Sequence, residues 1–542
     1  MDSPLHSPLF VVNFPISWAS ASYAFTTVLI CSLIIATLYV AGHIIYQVTF
    51  HPLARYPGPF LAKFTDARAG YHAWLGDTHL DMWRCHEKYG PYVRYTPERL
   101  LINTAGALKE AQDKHRNVTK AREYLGMVHR TPSTFTLLDK KEHAKKRRIL
   151  SQGFSDSAVR AFEQSILDHV EKFCATMAPS PSHASSGQGW SQPVNISTWC
   201  SYLFFDMITD LVFGTSYNML GAATYRYVID AIKASNQRVS VIIQAPGITF
   251  RRLDKKLFPR AILARNQFLH FMKKVVTDRM AAKVDSKNVF ANLAVARDPE
   301  TNQGFTMLEL GAESISLLVA GSDTTSTFVS GLFFYLSRHR DVYERAVSEV
   351  RAAFADASEV RLGPKLNSCR YLRACLDETL RLSPPVGAAL FREALQGGAV
   401  VDGLYIPEGM RVGTSIYAIH HNPIYFPEPF AFRPERWLNR TSPVIEAYAP
   451  FSLGARGCVG KGLALMEAML MMATVLYKFD FQTAPGTLEG GGDLSAPMYG
   501  RHRPNEFQLK EHVTSDCSGP MLRFRFRDEV VAEQQATVEL VQ

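Results

Sequence analysis

The stretch FSLGARGCVG, residues 451–460, decides the reading of this 542-residue chain. Before it, Tyr448-Ala449-Pro450 predicts extended backbone; after it, KGLALMEAMLMMATVLYKFDF predicts a buried helix. A lone cysteine, Cys458, therefore sits in a glycine-rich loop aimed at a helix N-terminus. A structural thiol in a tight turn would explain Cys458 but not its neighbours. Gly454 and Gly457 let the backbone fold closely around a sulfur and approach a flat ligand. The N–H groups that open the helix stabilise a thiolate. Arg456 can bind a carboxylate of the same ligand.

A single soft anionic ligand on a loop with room for a plane suits haem iron with an axial cysteine. The other cysteines form no C-x-x-C pair, which argues against a zinc ribbon or a thioredoxin-type site. With 47% apolar and 11% aromatic residues, the chain can bury a large core. Its formal charge of +9 suits an acidic partner or an anionic membrane surface. No arginine-rich arm or aromatic-basic repeat points to nucleic acid.

No charged residue occurs between Asp2 and Arg55. Residues 23–48, YAFTTVLICSLIIATLYVAGHIIYQV, are long and apolar enough to cross a bilayer. Asp2 precedes this span and Arg55, Lys63 and Arg68 follow it, the reverse of a cleaved signal peptide. The positive-inside rule then leaves the bulk of the chain cytosolic. The expected organisation is a short segment 1–22, an anchor 23–48, a proline-rich hinge 49–60, a catalytic domain 61–527 and a tail 528–542. The polar stretch Ala178–Pro193 is expected to be a surface loop. The sequons at Asn117, Asn195 and Asn439 are chance matches if the domain is cytosolic.

Thr306 and Glu309 form a capping box that opens an apolar helix running almost to Arg338. That helix carries AGSDTT, residues 320–325, where an aspartate must be paired or wet. DETLRLSPP places Glu378 and Arg381 on one helical face. FRPERW supplies Arg436, and a basic helix, DKKEHAKKRRILSQ, supplies His143 and Arg147. GPYVRYTPERLLIN predicts two short strands around a Pro-Glu turn.

Phe451, Gly454, Arg456, Cys458 and Gly460 resemble the haem-binding signature of the cytochrome P450 haem-thiolate proteins. The AGSDTT helix, the E-x-x-R pair and the PERW segment follow that family's order. The resemblance covers roughly Pro52 to Arg527. It implies a mainly α fold with a smaller β region, a haem b cofactor held by Cys458, and no flavin in this chain. It implies that Asp323 and Thr324 pass protons to bound oxygen through water, and that Gly321 leaves a groove for dioxygen. It implies that Glu378, Arg381 and Arg436 form a structural salt-bridged triad. Trp437, where phenylalanine is commoner, is expected to change nothing chemical. His143, Arg147 and Arg392 match positions that bind haem propionates. Lys141, Lys145, Lys146 and Arg148 match a docking face for an acidic NADPH–cytochrome P450 reductase. Val386, Ala388, Ala389, Leu390, Met498 and Tyr499 match regions that face an apolar small-molecule substrate.

The family resemblance makes the chain a monooxygenase of the endoplasmic reticulum membrane, single-pass, with its domain on the cytosolic side. The implied reaction is hydroxylation or epoxidation, resembling fungal secondary-metabolism members. A detoxifying aromatic-acid hydroxylase is a related alternative. An isomerase or dehydratase on the same fold would need no reductase and would tend to lose the acid–alcohol pair. A haem sensor or carrier would need neither the pair nor a docking face.

Overall fold

The computed structural model describes residues 18–179, 189–281, 288–439 and 442–527. Residues 1–17, most of the expected loop at 178–193 and the tail 528–542 lie outside the described residues. The chain divides into two units, residues 1–55 and 56–542.

The first unit is an apolar helix, Trp18–Ile45, prolonged by a π-helical turn, Tyr46–Phe50. Over Ser22–Phe50 it has a mean hydropathy of 2.3, long and apolar enough to cross a membrane. It stops where Pro52 dictates. His51 takes extended backbone (φ −63°, ψ 139°), as a residue before proline must.

The second unit is organised around the helix Met307–Arg338, whose 32 residues span about 48 Å. Its start is fixed by the capping box: Glu309 N donates to Thr306 Oγ1 (3.3 Å) and Thr306 N donates to Glu309 Oε2 (2.8 Å). Leu318, Val329, Leu332 and Phe333 are fully buried along it. It packs against the helices Ile196–Phe213, Arg370–Leu382 and Lys461–Lys478. This apolar contact excludes water from the middle of the molecule, which is the condition for a dry reaction site.

Small sheets lie beside the helices. Five strands run in the order Tyr92–Thr96, Arg99–Ile102, Arg411–Gly413, Arg392–Ala394 and Val118–Lys120. The first two are the hairpin expected from the Pro-Glu turn. A three-stranded sheet joins Val194–Asn195, Met521–Phe526 and Phe479–Thr483. A short hairpin, Lys510–Glu511 with Ser515–Asp516, reaches the central helix. The fold is mainly α with a smaller β part.

One carboxyl lies inside this core. Glu467, on the Lys461–Lys478 helix, is buried beside Thr325 of the central helix, and burial pushes its pKa up to about 8. The folded state thus keeps a proton that the unfolded chain, with an ordinary value of 4.5, gives up. Its contribution to stability falls as pH rises from about 4.5 to about 8 and is flat outside that window. Glu467→Gln cannot titrate, so its melting temperature relative to the wild type should rise between pH 5 and pH 8. An identical difference at both pH values would show that this carboxyl does not stay protonated in the fold.

Candidate active site

The cysteine loop is shaped by two backbone constraints. Gly454 has φ +64°, and a Cβ there would lie 2.6 Å from Gln112 O, so only glycine fits. Cys458 N donates to Phe451 O at 2.8 Å, which folds the loop back under the sulfur. The N–H groups of Gly460 and Lys461 and the charge of Arg147 favour the thiolate, but burial outweighs them and raises the Cys458 pKa. Cys458 is an exposed residue, and a soft metal at its sulfur would take it as thiolate. Phe451 covers the other side of the loop, with Lys461 Nζ 5.9 Å from its ring centroid.

Near the cysteine loop three guanidiniums are held by neutral acceptors alone. Arg147 Nη1 donates to Gly457 O (2.7 Å). Arg456 donates to Leu137 O (2.8 Å) and Leu138 O (3.1 Å). Arg392 donates to Leu390 O, Phe391 O and the amide oxygen of Gln112. Among the described residues, none of the three makes an ion pair with a carboxylate. Burial, then the neighbouring charge of Arg392, lowers the Arg456 pKa to about 10. His143 is held neutral, with its pKa lowered to about 3 by burial and then by Arg456. Arg392 is fully buried, and Glu393, its possible surface partner, pairs instead with Arg122 at 2.6 Å. Buried cations without an anion are costly. This donor set, with the accessible sulfur of Cys458, fits a haem whose carboxylates lie at the guanidiniums. Gln112 is a member that sequence reasoning missed, since nothing in QDKHR marks it.

The acid and the alcohol of the central helix face different surroundings. Neighbouring residues on a helix point about 100° apart. Thr324 Oγ1 donates to Ala320 O one turn back (2.6 Å), beside the exposed Ala320. Its donor is committed, and its lone pairs remain available as acceptors. Asp323 points the other way, accepting from Thr514 Oγ1 (2.9 Å) and Asn236 Nδ2 (3.2 Å). It borders a polar cavity of about 20 Å³ with Lys233, Asp516 and His512. Burial pushes its pKa up to about 6. At Gly321 a Cβ would sit 2.7 Å from Ile208 Cδ1, so the glycine lets the helix Ile196–Phe213 pack closely.

Tyr499 stacks on Trp83, with centroids 5.1 Å apart. The C-terminal piece that approaches the site is the hairpin around Thr514. Glu511, in that hairpin, accepts from Gly387 N (2.8 Å) and Ala388 N (2.6 Å) and so positions half-buried Val386, Ala388 and Leu390. Of Lys141, Lys145, Lys146 and Arg148, only Lys141 is fully exposed. Lys146 turns inward to Glu309 (2.9 Å), Arg148 pairs with Asp298 (2.6 Å), and Lys145 bonds Gln303.

Glu378 is the most heavily bonded carboxylate of the site. It takes Arg381 in a bidentate pair (2.9 Å each), Arg436 Nε (3.2 Å) and Arg433 N (3.0 Å). Trp437 Nε1 adds a further donor at 2.9 Å. The tryptophan thus does change the chemistry, by supplying an indole N–H that phenylalanine lacks. Arg381 also donates to His420 O, Pro429 O and Ala431 O, which holds the segment leading to the cysteine loop. Trp437→Phe should lower the stability of the haem-loaded protein by about 1.5–3 kcal/mol, the worth of a hydrogen bond to a charged group. Denaturant unfolding measures it, and an unchanged midpoint would mean that the indole N–H contributes nothing.

Comparison with known proteins gives the same picture. The family model Cytochrome P450 matches residues 68–490. The chain is 46% identical over 510 residues to Cytochrome P450 monooxygenase AKT7 of Alternaria alternata, covering 91% of this chain and 97% of that relative. It is 44% identical over 500 residues to Cytochrome P450 monooxygenase poxM of Penicillium oxalicum, covering 91% and 94%. It is 44% identical over 499 residues to Cytochrome P450 monooxygenase atnE of Emericella nidulans, covering 89% and 94%. The family model spans more than half of the chain and these relatives cover nearly all of it, so the chain belongs to the cytochrome P450 family of haem-thiolate monooxygenases.

Proposed function

We propose that the chain inserts one atom of O₂ into an apolar small molecule by hydroxylation or epoxidation. NADPH supplies two electrons through a reductase, and the second oxygen atom leaves as water with two protons. The haem b group, ligated by Cys458, supplies oxygen activation when bound. The observation that carries the reading is Asp323, a half-buried carboxyl whose pKa is raised to about 6 and which borders a polar cavity. Lys233 and Asp516, paired at 2.6 Å and each about one-third exposed, connect that cavity to solvent. An acid so placed can take a proton from outside and hand it inward. Thr324 accepts a hydrogen bond from the water that completes the path. An isomerase, which consumes no protons, has no use for this connection.

Exposed Leu125 and Phe135, with half-buried Val386 and Leu390, support an apolar substrate. Secondary metabolism in a fungus is the setting that the relatives' source organisms support. Residues 23–48 act as a single anchor in the endoplasmic reticulum membrane and contact its lipid. Residues 49–60 are the hinge, and residues 61–527 lie on the cytosolic side. Lys141, with Lys461 and Arg373 beside a groove of about 210 Å³ at Phe451–Leu453, offers positive charge to an acidic reductase.

Asp323→Asn should lower product formation roughly 10²-fold, the scale of one acid–base group, and weaken its dependence on pH near 6. Thr324→Ala should preserve NADPH oxidation but divert it to hydrogen peroxide. NADPH, peroxide and product are measured together with reductase. Unchanged coupling in both variants would contradict the proton path.

A further inference from the structure

Lys120 ends the strand Val118–Lys120 and lies directly across the sheet from Arg392. Like charges directly opposite in a sheet are destabilising, and this pair is fully buried. The Lys120 ammonium donates to Phe135 O and sits 5.3 Å from the Tyr124 ring centroid and 4.8 Å from that of Phe135. The charged and titratable groups that face it are Arg392, Arg456, Arg147, His143 and Glu313. The only carboxylate among these, Glu313, already accepts from Thr134 N and Thr134 Oγ1 (2.8 Å). Among the described residues, no carboxylate is within ion-pair distance of Lys120. A lysine thus joins the group of cations formed by Arg392, Arg456 and Arg147, and among the described residues no carboxylate pairs with any of them.

We propose that loading of the cofactor in this protein is coupled to uptake of one proton from solvent, and that Lys120 is the group that takes it. The inference rests on the haem reading above. Without an anion, burial and the neighbouring Arg392 and Arg456 drive the Lys120 pKa well below 10.5, which favours the neutral amine. A carboxylate brought to the cluster reverses the balance: the amine gains a proton from water, and the resulting ammonium pairs with the carboxylate. Arginine cannot play this part, because it stays charged throughout. His143 is the competing acceptor, and the test separates the two.

Holoenzyme is equilibrated with an apo-globin scavenger between pH 6.5 and 9, using haem or haem dimethyl ester, which has no carboxylates. The reduced-CO spectrum reports how much cofactor remains. Cys458 releases its own proton on ligation in every arm, so differences between slopes isolate Lys120. In the wild type, affinity for haem should fall more steeply with rising pH than affinity for the ester, by up to about tenfold per pH unit. Lys120→Met should remove that difference and weaken haem retention while leaving ester retention nearly unchanged. Lys120→Gln serves if the methionine variant does not fold. Equal slopes for haem and ester in the wild type would overturn the proposal without any variant. A slope difference that survives in Lys120→Met would transfer the proton to His143 and overturn the assignment. A wild-type protein with no thiolate-type CO band would instead overturn the haem reading itself.

Discussion

Buried charge decides this structure, and it is arranged in two opposite ways. Glu378 is fully satisfied from within the chain: two guanidiniums, a backbone N–H and the Trp437 indole surround it. Such a closed network positions backbone, and it can do nothing else. Arg147, Arg392 and Arg456 are left with neutral carbonyl and amide oxygens. Arg392 is buried and Arg147 and Arg456 are half-buried, so an anion brought to them would meet little competition from water. The contrast separates the scaffold from the site without reference to any motif. The two are joined physically, because Arg381 holds the chain that leads from Glu378 toward the cysteine loop.

The central helix sets the second constraint. Its pitch separates Asp323 from Thr324, so one residue faces a cavity connected to solvent and the other faces its own backbone at Ala320. The proposed proton path would therefore have to pass from one side of this rigid element to the other. The hairpin Lys510–Asp516 serves both sides. Thr514 bonds the acid, and Glu511 fixes the backbone of Gly387 and Ala388. A substrate that displaced this hairpin would disturb the proton path as well as the pocket wall.

What the sequence made legible was local. The cysteine loop, the capping box at Thr306 and the Pro-Glu hairpin are each written in a few adjacent residues, and their geometry follows from backbone sterics and end effects of helices. What it concealed depends on distant partners or on rotation about a helix axis. Trp437 meets Glu378 across 59 positions of sequence. Lys146 looks like a surface lysine until Glu309 is placed beside it. Gly321 resembles a gap until Ile208 fills it. Lys120 carries no signal in RNVTK, because its setting is created by strand pairing with Arg392.

The central claim is that Cys458 presents a thiolate to iron at the helix N-terminus. Reduced-CO spectroscopy of the purified protein and of Cys458→Ser tests it most directly, because the position of the band reports the axial donor. The account predicts the red-shifted thiolate band in the wild type and its loss in Cys458→Ser, with protein that still folds around the Glu378 network. A red-shifted band that persists in the serine variant would contradict it, since another residue would then hold the iron.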